Sequence, residues 1–125
     1  MFDRFSAYAP QALAVLRIVA AILFIQHGTQ KLFGFPATEM QPPLMSLFGL
    51  AALIEVIGGL MILVGFYARP AALIAAGSMA FAYWMVHAPM NLFPVNNGGD
   101  SAILFCFVFL YLVFAGPGAW SVNKK

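Results

Sequence analysis

Four long apolar stretches, separated by prolines, glycines and charged residues, constrain the fold of this chain more than any motif does. They span about 11–33, 45–66, 70–88 and 100–116, and each is close to the ~20 residues that a helix needs to cross a bilayer core. In lipid, only helices or a closed barrel satisfy the backbone, and these stretches lack the alternation of barrel strands. The sequence therefore predicts an all-α membrane protein, a four-transmembrane-helix bundle that forms a single domain over residues 1–125.

Composition excludes several other classes of protein. Of the 125 residues, 63% are hydrophobic and 8% are charged, so a soluble domain of this length could not bury its apolar side chains. Arg17 interrupts the first stretch and no small-residue cleavage site follows, which favours a permanent helix over a secretory signal. The single cysteine, Cys106, excludes an intramolecular disulfide and a Cys-x-x-Cys pair. The small, dispersed charge of +2 argues against nucleic acid as a partner. The expected partner is the lipid bilayer, and a homo-oligomer is left open.

The distribution of charged residues predicts the orientation. Four basic residues fall at the two ends of the chain and in the second connection, which an even number of spans places on one side: Arg4, Arg69, Lys124 and Lys125. The opposite side carries Lys31, Glu39 and Asp100. By the positive-inside rule, both termini are expected in the cytoplasm.

Two charged residues, Arg17 and Glu55, lie deep inside the first and second stretches. Because an unpaired charge in hydrocarbon is costly, both side chains are expected to face the interior of the bundle. We interpret them as a buried ion pair. A part in a ligand or proton site, and separate environments for the two residues, are the alternatives.

A second group of polar residues is predicted at the outer end of the bundle. It comprises His27, Lys31, His87, Asn91 and Asp100, with Asn96 and Asn97 nearby. Helical phase places His27 and Lys31 on the side of the first helix that carries Arg17, and Gln26 on the opposite side.

The outer connections, 34–44 and 88–99, are rich in Pro, Gly and Asn, and functional residues often collect in such loops. They could equally be plain surface turns, with Asp100 capping the fourth helix.

Several ligands are compatible with this outer group. Haem between His27 and His87 is disfavoured because nothing else marks a haem pocket. A metal site would need a third ligand such as Asp100, and none is assigned. A small polar or quinone-like molecule, held by histidine and lysine donors beneath an aromatic rim, fits better. The alternative is a set of hydrated interfacial side chains, and no catalytic residue is assigned.

The order and spacing of five motifs, together with the arginine of the first helix, resemble the DoxX family of small bacterial inner-membrane proteins. The motifs are His27-Gly28-x-x-Lys31-Leu32, Glu55-x-x-Gly58-Gly59-Leu60, Gly65-x-x-x-Arg69-Pro70, Asn97-Gly98-Gly99-Asp100 and Gly116-Pro117-Gly118-x-x-Ser121. The family often has Gly-Glu where this chain has Gly99-Asp100. The resemblance implies four helices, a bacterial plasma membrane and an association with respiratory or sulfur redox chemistry, after a subunit of a thiosulfate:quinone oxidoreductase.

The expected function is therefore that of a binding or accessory subunit of a redox or quinone-linked membrane system, with other redox subunits as partners. The absence of a cysteine pair and of a nucleotide motif favours an accessory role over a complete enzyme. One alternative is a structural or interaction protein that assists the assembly of membrane or exported proteins. Another is a small-solute transporter, which four spans per chain would require to act as an oligomer.

Overall fold

The structure, a computed structural model, describes residues 1–36 and 47–125, and every regular element within these ranges is helical. A 3₁₀ turn at Phe2–Tyr8 leads into helix α1, Ala9–Phe33. Helix α2 consists of Leu47–Leu53, a π-helical turn at Ile54–Gly58, and Gly59–Val64.

The second half of the chain contains two more helices. Helix α3 consists of Ala68–Ala82, a π-helical turn at Tyr83–His87 and a 3₁₀ turn at Ala88–Met90. After a short helical turn at Pro94–Asn97, helix α4 spans Asp100–Ala115.

Within the described residues, the helix ends agree with the predicted apolar stretches to within about two residues, which is the usual uncertainty of helix ends. Two helical runs, Phe2–Phe33 and Ala68–Met90, are long and apolar enough to cross a membrane, whereas Gly49–Val64 and Asp100–Ala115 are shorter apolar helices. At 1.5 Å per residue, α4 is about 24 Å long, less than the ~30 Å of a bilayer core. The predicted start of the second stretch, together with Glu39, Pro42 and Pro43 of the predicted connection, lies outside the described residues.

Small side chains allow α3 and α4 to pack closely. Ala72 and Ala75 of α3 are fully buried, and they share one core with Phe109 and Leu112 of α4. Phe24 brings α1 into the same core, because its ring lies 4.8 Å from that of Phe109, edge to face. Alanine-lined faces of this kind are typical of helix contacts in membrane proteins, where close packing replaces the hydrophobic effect as the source of association.

The backbones of α1 and α2 approach each other at two glycines. A Cβ atom on Gly28 would lie 2.6 Å from Val56 Cγ2 and 2.9 Å from the carbonyl oxygen of Ala52. A Cβ atom on Gly59 would lie 2.5 Å from Ile25 Cγ1. All three distances are shorter than the separation of non-bonded atoms in contact. The two glycines therefore set the separation of α1 and α2 on either side of Glu55.

We expect Gly28→Ala to destabilise the bundle by about 1–3 kcal/mol, because the added methyl group meets a backbone oxygen that cannot move without displacing α2. Thermal unfolding of the detergent-solubilised protein would measure the change. Gly58→Ala is the matched control, since a Cβ atom at that position meets nothing within 4 Å. Equal melting temperatures for the two variants would contradict a close approach at Gly28.

Candidate functional site

Arg17 is fully buried on α1, and backbone carbonyl groups surround its guanidinium. Nη1 donates to the carbonyl oxygens of Pro117 and, at 3.0 Å, Ala119. Nη2 donates to the carbonyl oxygens of Trp120 at 3.0 Å and Leu63 at 3.4 Å. A planar guanidinium with five N–H donors suits such a site better than an ammonium group does. Arg17 thus joins α1 to the last turn of α2 and to the segment after α4.

That segment, residues 117–123, folds back over the ends of α1 and α2 and is called the returning segment below. The Ala119 N–H donates to the carbonyl oxygen of Pro10 at 3.0 Å. The N–H groups of Val122 and Asn123 donate to the carbonyl oxygens of Val64 at 3.0 Å and Gly65 at 3.1 Å, respectively. The returning segment is therefore packed against α1 and α2. The Arg17 guanidinium is hydrogen-bonded to three of its carbonyl groups.

Glu55, which is also fully buried, pairs with Lys31 of α1 and not with Arg17. Lys31 Nζ lies 2.5 Å from Glu55 Oε1. The structure thus corrects the predicted Arg17–Glu55 ion pair, because it brings each residue to different partners. The reason is the position of each residue along its helix. Arg17 bonds to the carbonyl of Leu63, which lies about 12 Å further along α2 than Glu55. Lys31, at the far end of α1, is on the level of the carboxylate.

A cavity of about 460 Å³ opens beside the Lys31–Glu55 pair, between α1, α2 and α3. Its volume is within the range of small-molecule sites. The polar residues that line it are His27, Lys31, Glu55, Ser78 and His87. The apolar residues are Ala51, Met79, Phe81, Ala82, Met85 and Val86. The structure therefore brings three of the five predicted ligand residues, His27, Lys31 and His87, to one cavity, and it adds Glu55 to them.

The other two predicted ligand residues, Asn91 and Asp100, do not line this cavity. Asn91 Oδ1 accepts a hydrogen bond from the Phe93 N–H at 3.0 Å. The side chain therefore stabilises the local backbone turn between these two residues. Asp100 is exposed at the start of α4 and does not cap it, because Gly99 occupies the N-cap position and no side chain bonds there.

Both histidines have Nδ1 committed to a backbone carbonyl. His27 Nδ1 lies 2.9 Å from the Leu23 oxygen, and His87 Nδ1 lies 3.0 Å from the Asn97 oxygen. A carbonyl only accepts, so these contacts assign the ring proton to Nδ1, and each neutral ring then has its lone pair on Nε2. The His27 ring also packs edge-on against Phe105, with 5.7 Å between centroids.

Asn97 is a residue to which the sequence interpretation gave no role. It is buried, and its Nδ2 donates to Tyr83 Oη at 3.2 Å and to the Asn91 carbonyl at 3.0 Å. Its Oδ1 accepts from the Gly99 N–H at 2.8 Å. Since its own carbonyl bonds to His87, Asn97 positions that imidazole at the cavity wall. The Asn97-Gly98 dipeptide predicts a turn at this place. It does not indicate that Asn97 positions the His87 ring.

Comparison with known proteins places these residues in a family. The DoxX family model matches residues 12–88, a range that contains all four charged or histidine side chains of the cavity. An uncharacterized protein of Haemophilus influenzae is 38% identical, with 94% of this chain and 92% of the relative covered. The inner membrane protein YqjF of Escherichia coli is 33% identical, and the alignment covers 88% of each chain. The inner membrane protein YphA of Escherichia coli is 28% identical, with 99% of this chain and 96% of the relative covered. No solved structure matches.

The geometry predicts which charged residues are energetically coupled. In double-mutant cycles, Lys31→Met and Glu55→Gln should show a coupling on the order of 1–3 kcal/mol, because each single change leaves the other partner without its counterpart. Arg17→Met and Glu55→Gln, measured in the same thermal melts, should be additive. A larger coupling for Arg17 with Glu55 than for Lys31 with Glu55 would reverse this assignment.

Proposed function

The chain belongs to the DoxX family, with inner membrane proteins of Escherichia coli among its relatives, and on that premise we propose that it binds a quinone-class ligand in the cavity beside Lys31 and Glu55. In this proposal it is a single domain of four membrane-spanning helices in the bacterial inner membrane. It serves as a binding or accessory subunit of a redox-linked system.

The proposed topology is supported by what lies on the outside of the two shorter helices. Ile57 and Leu60 of α2, and Leu104 and Phe107 of α4, are all exposed, as side chains facing lipid would be. A soluble protein would not leave so many large apolar groups in water. The exposed basic residues Arg4, Lys124 and Lys125 fall on the side proposed to be cytoplasmic.

The amphipathic cavity is the observation that carries the proposed ligand class. Apolar side chains such as Met79, Phe81 and Met85 form most of the wall, and the paired side chains of Lys31 and Glu55 provide a polar group on it. Such a site suits a flat, largely apolar molecule with oxygen atoms at its edge.

The charge of the cavity favours a neutral ligand over an anion. Lys31 and Glu55 cancel each other in their ion pair. An anionic ligand would have to compete with the buried carboxylate for Lys31. A quinone-class head group carries no net charge and makes no such demand.

The backbone supports a functional role for the same place. Both π-helical turns in the described residues contribute to the cavity: Ile54–Gly58 contributes Glu55, and Tyr83–His87 contributes Met85, Val86 and His87. π-helical turns inside α-helices occur often at functional sites, because they re-aim side chains at a cost in hydrogen-bond geometry. Two of them at one cavity argue for a site that is more than a packing defect.

An accessory role is favoured over a complete enzyme because the sequence contains one cysteine. Electron transfer to or from a bound quinone-class molecule would therefore involve other subunits. The interaction-protein alternative treats the cavity residues as structural, and the binding experiment below distinguishes the two.

Reporter fusions would test the proposed topology. A reporter fused after Lys125 and one placed in the Tyr67–Pro70 link should both be active in the cytoplasm, because an even number of spans separates them. A reporter near Asn97 should be active only on the outer side. Export of the reporter after Lys125 would overturn the orientation, and cytoplasmic activity near Asn97 would overturn the four crossings.

Ligand titration would test the proposed site. His27→Ala, Lys31→Ala and His87→Ala should each weaken the binding of a short-chain quinone or quinol by roughly tenfold, ~1.4 kcal/mol, in detergent-solubilised variants of matched folding. Gln26→Ala is the control, because Gln26 does not line this cavity. If all three variants bind as tightly as the parent, the site is wrong, and the interaction-protein function becomes the better account.

A further inference from the structure

Three of the side chains that line the cavity, His27, His87 and Glu55, can accept hydrogen bonds. His27 and His87 each donate their Nδ1 proton to a backbone carbonyl, at 2.9 and 3.0 Å. No described residue bonds to either Nε2. In the neutral ring this atom is a lone-pair acceptor. The imidazoles, which the sequence interpretation treated as hydrogen-bond donors, line the cavity and can therefore accept through Nε2.

The carboxylate of Glu55 adds a third acceptor. Its Oε1 accepts a hydrogen bond from Lys31 Nζ, whereas Oε2 is buried and has no hydrogen-bond partner among the described residues. A buried acceptor left without a partner is energetically unfavourable, because it has lost its hydrogen bonds to water. A ligand that brought an N–H or O–H group to this atom would recover that free energy.

Two of the cavity side chains can donate. Lys31 gives one of its three N–H groups to Glu55, and the Ser78 hydroxyl can donate or accept according to its rotation. A quinone offers only carbonyl oxygens, which would face the lone pairs of the two imidazoles. A quinol offers two hydroxyl groups, and each can donate.

From this complementarity we propose that the cavity selects the reduced, dihydroxy form of its ligand, a quinol, over the oxidised quinone, with His27 Nε2 and His87 Nε2 as the specificity-determining acceptors. The inference rests on the proposed function, and it names the redox state that the same site prefers. A tenfold preference for the quinol would raise the two-electron reduction potential of the bound ligand by about 30 mV.

The test uses the purified full chain in detergent under anaerobic conditions, with decylubiquinone, decylubiquinol and the dimethyl ether of decylubiquinol as probes. Isothermal titration at one pH gives the three dissociation constants. The quinol should bind at least tenfold more tightly than the quinone, and the dimethyl ether, which has the same ring but no donor, should bind no better than the quinone. This comparison needs no variant, so it does not depend on how any substitution folds.

A variant then assigns the preference to the histidines. His87→Phe keeps a ring to stack on Tyr83 but removes Nε2, and we expect the ratio of the quinone to the quinol dissociation constant to fall at least threefold, through loss of quinol affinity. His27→Phe should act in the same way, and Gln26→Ala should leave the ratio unchanged.

The outcomes separate the two proposals. If neither form binds the parent, both the proposed function and this inference fail. If both forms bind and the quinone binds equally or more tightly, the inference is overturned and the proposed function stands. Quinol-like binding of the dimethyl ether, or an unchanged ratio in both histidine variants, would also overturn the assignment to donated hydroxyl protons.

Discussion

A carboxylate buried between helices must find a cation, and the pairing of Glu55 with Lys31 meets this requirement across the α1–α2 contact. The pair is possible because Gly28 has no side chain: the backbones approach closely enough for a lysine near the end of α1 to reach a carboxylate on α2. Breaking such a pair leaves a buried charge, which costs more than the pair itself contributes. The position of α2, and with it one wall of the cavity, therefore depends on this ion pair together with the close approach at Gly28 and Gly59.

The pair also determines the net charge that the cavity presents to a ligand. The sequence predicted that Glu55 pairs with Arg17, because both residues lie deep inside apolar stretches. In that arrangement Lys31 would have faced the cavity as an unpaired cation and favoured an anionic ligand. With Lys31 paired, the polar atoms of the cavity include acceptors as well as donors, because Glu55 Oε2 has no partner among the described residues and each neutral imidazole has a lone pair on Nε2. The sequence predicted histidine and lysine donors at this site, whereas these acceptors are the basis of the proposed preference for a ligand with hydroxyl groups.

Helix positions followed from the sequence because the length of an apolar stretch and its flanking prolines and glycines are local properties. The gathering of His27, Lys31 and His87 followed from counting spans and from helical phase. The partners of Arg17 could not be found in this way, because they are backbone carbonyls, and every residue carries one. The π-helical turn at Glu55 was equally hidden, since it changes the phase of a helix without any distinctive residue type. Asp100 was a reasonable cap by residue type, but the backbone places Gly99 at that position.

The hydrogen bonds of Arg17 to the returning segment impose an order on biosynthesis. Arg17 and Pro117 are 100 positions apart, and at about 5–20 residues per second the ribosome needs roughly 5–20 s to travel between them. During that interval α1 is already made, while its guanidinium lacks most of the carbonyl groups that surround it in the finished protein. A cation in this state is poorly accommodated by hydrocarbon, so α1 is expected to stay near water or near the insertion machinery until the last helix has been made. Completion of the chain, and not insertion of the first helix, would then be the step that commits the bundle to its final position in the membrane.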